Sequence, residues 1–233
     1  RGYRKNINIK NIGKSFEITA AVKDFKPGQV LYNSNGFGYG VFPIYKDKIH
    51  TYRDIKDTAS RGYQFINLYE NMLNGNVRVN ETYTVFLEAI KTEDNELITN
   101  FLSSKIQQIY WTFLTEKQQK VTQQITESTL LKLLESDVPS NIKKTVFDLY
   151  QSIAISEEGK SNLYQIWNEE KMIKNLFLNE NEFTSLAFDL AIYQHPKSDK
   201  ILDKQAKNIT NPDRLERFQW LLPSVSNDEK VRD

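Results

Sequence analysis

Apolar and polar positions alternate along the chain in two different periods, and the change falls near residue 45. Before it, Ile7 and Ile9 alternate with Asn8 and Lys10, and Phe16, Ile18, Ala20 and Val22 alternate with Glu17, Thr19 and Ala21. A period of two predicts short strands. Lys26-Pro27-Gly28 and Asn33-Ser34-Asn35-Gly36 read as turns, with proline presetting φ and glycine supplying a positive one. Val30-Leu31-Tyr32 and Gly38-Tyr39-Gly40-Val41-Phe42 read as two more strands, and Pro43 stops the last. Six of the nine glycines lie in residues 1–45. This segment is expected to be a short antiparallel β unit.

From about residue 50 the apolar spacing becomes three and four, the helical period. Tyr52, Ile55, Ala59, Tyr63, Ile66, Tyr69 and Leu73 mark a first helix, which Asn74-Gly75 ends. A second carries Tyr83, Phe86, Leu87 and Ile90 behind an Asn80 cap, and a third runs from Ile98 to Leu114. A fourth holds Val121, Ile125, Leu130, Leu133 and Leu134 up to about Glu135, ahead of Pro139. Ile142, Val146, Leu149 and Ile153 mark a fifth, and Leu163, Ile166 and Trp167 a sixth. Asn179 with Glu182 forms a capping box for a seventh, with Pro196 just past its end. Ile201, Leu202 and Ile209 give an eighth; Asn211-Pro212-Asp213 starts a ninth, which Pro223 ends. Ser226 and Glu229 repeat the capping-box spacing. The expected fold class is mainly α: an irregular HEAT-like solenoid or bundle of eight to ten helices over residues 46–233, preceded by the β segment 1–45.

Composition narrows the chemistry. The 233 residues hold 31 Lys+Arg and 30 Asp+Glu, a net charge of +1, which disfavours nucleic acid as a partner. No apolar run is long enough to span a membrane. Cysteine is absent and there are two histidines, His50 and His195, so thiol catalysis and Cys- or His-rich metal sites are excluded. The sequence contains no HExxH, no GxGxxG opening a helix, no GxxxxGK[ST] and no GxSxG. Gly36-Phe37-Gly38-Tyr39-Gly40 has no helix behind it and reads as a tight turn rather than a phosphate cradle. His195, at a helix end before Pro196, reads as a cap facing the dipole. Glu157-Glu158 and Glu169-Glu170 read as solvated faces, Tyr110-Trp111 and Trp167 as core, and Trp220 as partly exposed. Arg214 and Arg217, one helical turn apart, suit a bidentate carboxylate; local pairs with Asp213 or Glu216 are the plainer alternative.

The order of these segments resembles the C-terminal half of zinc aminopeptidases of the aminopeptidase N type. Three stretches carry the likeness: Val30 to Phe42, with its Gly-Tyr-Gly-Val-Phe ending; Arg61-Gly62-Tyr63-Gln64-Phe65-Ile66-Asn67-Leu68-Tyr69-Glu70-Asn71-Met72-Leu73; and Glu93-Asp94-Asn95-Glu96. Ile109-Tyr110-Trp111 and Asn211-Pro212-Asp213-Arg214 keep the family order. The flavour is that of bacterial, exported members, which implies a periplasmic setting. The resemblance implies the end of a β-sandwich followed by a helical domain that packs on the parent's catalytic and N-terminal domains. There it encloses the active-site chamber and limits peptide access. It also implies zinc in the parent. The family's HExxH helix, downstream glutamate ligand and GxMEN loop have no counterpart here, so this chain is expected to hold no catalytic residue and no metal. By the same resemblance Arg61, which opens the matching helix, joins Arg214 and Arg217 as candidates to meet a peptide's carboxylate. A stand-alone α-solenoid that binds a protein partner on its concave face is the other reading.

Overall fold

A computed structural model describes residues 31–44, 49–226 and 229–232. Nine helices of ten or more residues follow one another: α1 Thr58–Leu73, α2 Val79–Ile90, α3 Glu96–Gln108, α4 Glu116–Glu135, α5 Ser140–Ile153, α6 Glu157–Trp167, α7 Glu180–Ile192, α8 Ser198–Asn208 and α9 Pro212–Leu221. A four-residue turn, α10 Glu229–Arg232, ends the described chain. The mainly helical architecture expected after residue 45 is the one found.

The starts are chemically explicit. Asp57, Asn95, Ser156, Asn179 and Asn211 each accept a backbone N–H of the first turn. Thr115 and Gln118 form a reciprocal box ahead of α4. Cap position differs from expectation at α2, where Asn80 lies inside the helix and Glu81 reaches back to the Arg78 N–H at 3.4 Å. Three of the ends share one device. After α1, Gly75 (φ 74°) donates to Met72 O at 3.0 Å and Asn76 to Asn71 O at 2.9 Å, the paired bonds of a Schellman turn. Glu169 and Gln194 take the same left-handed position after α6 and α7 without being glycine.

The helices form two layers. Odd-numbered α1, α3, α5 and α7 touch in series, and α2 meets α4. Each helix also packs on a chain neighbour, as α4 does on α5, α6 on α7 and α7 on α8. The shared core holds Phe65, Phe86, Leu102, Ile106, Leu130, Val146, Phe147, Leu163, Leu186 and Leu190, all nearly inaccessible. α1 buries Phe65, Leu68, Tyr69 and Met72. The expected stripe is thus rotated: Ala59, Ile66 and Leu73 are exposed.

Among the described residues no strand forms. The expected strands at 31–32 and 38–42 are replaced by a closed turn and a docked tail. Gly36 N–H donates to Asn33 O at 3.0 Å, while the Asn33 side chain clasps Gly38 N–H at 2.7 Å and Gly38 O at 3.0 Å. Phe42 N–H donates to Asn67 Oδ1 (3.0 Å), and Phe42 O accepts from Asn71 Nδ2 (2.9 Å). Side chains of α1 thereby satisfy the main-chain groups that a partner strand would take. The strands expected at 6–10 and 16–22, and the turn at 26–28, lie outside the described residues.

One glycine carries a prediction with an unusual sign. Gly159 sits in the first turn of α6, where alanine ordinarily raises helix stability by up to ~1 kcal/mol. A Cβ there would stand 2.9 Å from both the Ala154 carbonyl carbon and Glu127 Oε2. Backbone must move, so Gly159→Ala is expected to destabilise by a net ~1–2 kcal/mol in a urea titration. A gain in stability would show that the junction yields freely.

Candidate functional site

Arg61 leaves the first turn of α1 and enters a polar joint. Its Nε and Nη2 each donate at 2.8 Å to the two oxygens of Glu93, and Nη1 donates to Ile55 O at 3.0 Å. Asp94 lies at 3.9 Å. Glu93 Oε1 also accepts Asn95 N–H at 3.0 Å, which ties the pair to the start of α3. The side chains are 16% and 4% exposed. Hydrogen bonding to Glu93 raises the guanidinium pKa further. Its donors are committed to the fold, so Arg61 positions the α1–α3 corner and does not present itself to a ligand.

Arg214 and Arg217 lie on α9, at the far end of the stack from α1, so the three candidate cations form no common site. Arg214 is half-exposed and pairs with Glu180 of α7 at 3.1 Å, not with Asp213 or Glu216. Glu180 is held below the ordinary carboxylate range by Thr210, through its N–H and its hydroxyl, and then by Arg214. Arg217 is exposed.

Other candidates resolve singly. His195 follows α7 and donates its N–H to Leu190 O, as a cap does. Its ring stacks on Tyr164 at 4.9 Å, and burial, then Lys197 and Lys160, push its pKa down. His50 is exposed. Among the described residues no three His, Asp or Glu side chains come together as a metal site would need. Trp167 is core, with Nε1–H on Gln205 Oε1 at 3.0 Å, and Trp220 is exposed. Tyr110 is core, but Trp111 is 45% exposed. Trp111 lies about 200° round the helix from the buried Ile109 and so on the outer face, within a π-helical turn that spans Ile109–Phe113.

A cavity of about 720 Å³ lies between α4 and the start of α6. Its floor includes Tyr150 and Glu127, both buried. Glu127 accepts Ser156 N–H at 3.0 Å and the Ser156 hydroxyl. Sequence reading passed over Glu127, although a charged residue at the buried register of Leu130 and Leu134 marks such a spot.

Asp189, on the inner side of α7, gives a pH test. Burial raises its carboxyl pKa, against the opposing hydrogen bond from Gln151. A raised folded value means the native chain holds this proton to higher pH than the unfolded chain. The contribution is present below the unfolded range, about pH 4, and is lost as pH rises through the folded value. Asp189→Asn is therefore expected to gain stability over the wild type as pH rises from 4 to 7. A difference independent of pH in urea titrations would refute this.

The three stretches that carry the family likeness meet in space. Phe42 is clasped by Asn67 and Asn71, Ser60 Oγ donates to Ser34 O at 3.1 Å, and Gly36 lies so close to the Tyr63 ring that a Cβ would overlap it. Arg61 then joins the second stretch to the third through Glu93. No family model matches the chain, and no curated protein or solved structure is significantly similar to it.

Proposed function

We propose that this chain is the non-catalytic helical domain of a zinc-dependent aminopeptidase, enclosing the parent's active-site chamber and limiting peptide access. The observation that supports this reading is the joint just described: the stretches 30–42, 61–73 and 93–96, on which the resemblance rests, touch one another through Asn67, Asn71 and Arg61. Phe37 and Tyr39 stand almost wholly exposed beside it, an apolar surface suited to a neighbouring domain of the parent. Among the described residues no zinc ligand set assembles, and the sequence lacks HExxH. On this reading the metal belongs to the parent's catalytic domain. Arg214 and Arg217 are the cations left to meet a peptide's carboxylate; Arg61 is spent on Glu93.

The test is expression of the whole reading frame from which the chain comes. It is expected to encode HExxH upstream and to hydrolyse amino-acid anilides in a chelator-sensitive way, whereas the 233-residue chain alone, loaded with zinc, hydrolyses none. Replacing Arg214 and Arg217 by alanine in the parent should raise KM for short peptides and spare anilides, which lack a carboxylate. Chelator-sensitive hydrolysis by the isolated chain would overturn the assignment. The cavity beside α4 favours the interaction-module alternative, which a reading frame without HExxH would select.

A further inference from the structure

We propose that His195 is a pH-sensitive clasp between α6 and α8, closed while its imidazole is neutral and released when it takes a proton. The joint between these two helices is made by side chains. Lys197 Nζ donates to the Tyr164 hydroxyl at 3.4 Å, Lys204 Nζ donates to Asn168 Oδ1 at 2.6 Å, and Trp167 Nε1–H donates to Gln205 Oε1. His195 stands at the head of this joint, where the chain turns from α7 into α8. Its ring lies flat on Tyr164, with 12° between the planes, and its Nδ1 accepts the Lys197 N–H at 3.2 Å. A backbone N–H can only donate, so Nδ1 carries no proton and the neutral ring holds its proton on Nε2. The same residue orders the start of α8, since His195 O accepts the Ser198 N–H at 2.9 Å and the Ser198 hydroxyl as well.

Protonation at Nδ1 sets two donors face to face and breaks the bond to Lys197. It also places a cation where cations already stand. The groups that face the ring are Lys197, from the α7–α8 turn, and Lys160, Glu157 and Tyr164, from α6. Glu157 is the acid among these, and Lys160 already pairs with it. The Tyr164 ring would welcome an imidazolium, but the Lys197 ammonium lies over it at 4.5 Å. Burial, then Lys197 and Lys160, hold the His195 pKa below the ordinary histidine range. With a depressed folded value, the closed joint binds fewer protons than the open one. Its contribution is whole above about pH 6.5 and is lost as pH falls through the folded value. Asp189 on α7 has the opposite sign, since its contribution is lost as pH rises. Reading amides at the start of α8, and changing His195 alone, separates the two. This inference does not depend on the aminopeptidase reading.

The test reads amide exchange by NMR on the 233-residue chain, from about pH 7.5 to about pH 5, with the intrinsic pH dependence divided out. The reporters are the N–H groups of Ser198 and Ile201, bonded to His195 O and Lys197 O, and the reference is Leu102 in the core of α3. Protection of the two reporters relative to Leu102 is expected to fall about threefold or more in the wild type. His195→Asn keeps an acceptor for the N–H two residues on but has nothing to protonate, so its ratio should stay constant. A second measurement follows the ring itself. His50 is exposed, and His50→Gln leaves a single imidazole in the chain. Its nitrogen shifts should show Nδ1 unprotonated at about pH 7.5, and its titration should centre below that of the same histidine in an unfolded peptide of this sequence. Lys197→Gln should move that titration upward. Equal pH dependence in wild type and His195→Asn, a proton on Nδ1 at neutral pH, or titration at the peptide's own value would each overturn the inference.

Discussion

Arg61→Ala is expected to cost about 3–5 kcal/mol of stability, because it strands a carboxylate that is almost out of water. Glu93 is 4% exposed, and both of its oxygens are bonded to Arg61 at 2.8 Å. The substitution also frees Ile55 O, which the same guanidinium serves. Lysine would keep the charge but lose the planar fork, so Arg61→Lys should fall between wild type and alanine. The informative comparison is the double variant R61M/E93L. Removing both charges spares the buried carboxylate, and its stability should return most of the way to wild type. Urea midpoints for wild type, R61M, E93L and R61M/E93L give the coupling energy. A loss below about 1 kcal/mol for Arg61→Ala would mean that water reaches Glu93 as soon as the arginine is gone.

Phe86→Ala is expected to cost about 3–5 kcal/mol, by leaving a cavity where three helices meet. Phe86 on α2 is fully buried and packs edge-on against Phe65 of α1 at 5.9 Å and Phe101 of α3 at 6.1 Å. Both ring contacts are lost together, and each adds to the burial term. The damage should be local before it is global. Amide exchange is expected to rise first in α1, which reaches the rest of the stack chiefly through α2 and α3. Uniform loss of protection across α1 to α9 would show a single cooperative unit instead. Phe86→Leu, which refills most of the volume, should recover over half of the lost stability.

Local signals proved legible where a few adjacent residues settle the matter. Asn179 with Glu182, Asn211 before Pro212, and Gly75 after α1 mark their helix ends in the sequence and in space. Faces were harder. α1 carries apolar residues on two sides, and Phe65, Leu68 and Met72 win the core over Ile66 and Leu73 because α2 and α3 lie on that side. Trp111 is large and apolar, yet it lies about half a turn round from the buried Leu102 and Ile109, on the outer face of the helix. The strand pattern at 38–42 gives way to side chains of Asn67 and Asn71, some 25 to 29 positions away. The arginines obey the same limit. Arg61 and Arg214 each have acidic neighbours in sequence, yet each chooses a glutamate more than thirty positions distant. Residue type announces that a guanidinium wants a carboxylate; which carboxylate is a property of the packing.

The turn after α1 also bears on how the protein ages. Asn-Gly is the dipeptide most prone to spontaneous loss of the side-chain amide, since the glycine nitrogen can attack the asparagine carbonyl and expel ammonia through a cyclic imide. In Asn74-Gly75 that nitrogen is already donated to Met72 O at 3.0 Å, and the Asn74 amide is drawn back onto Glu70 O at 2.8 Å. Nucleophile and electrophile are held apart by the bonds that end the helix. Chemical decay at this step therefore requires the last turn of α1 to open first, and its rate becomes a clock for local unfolding rather than for exposure to water.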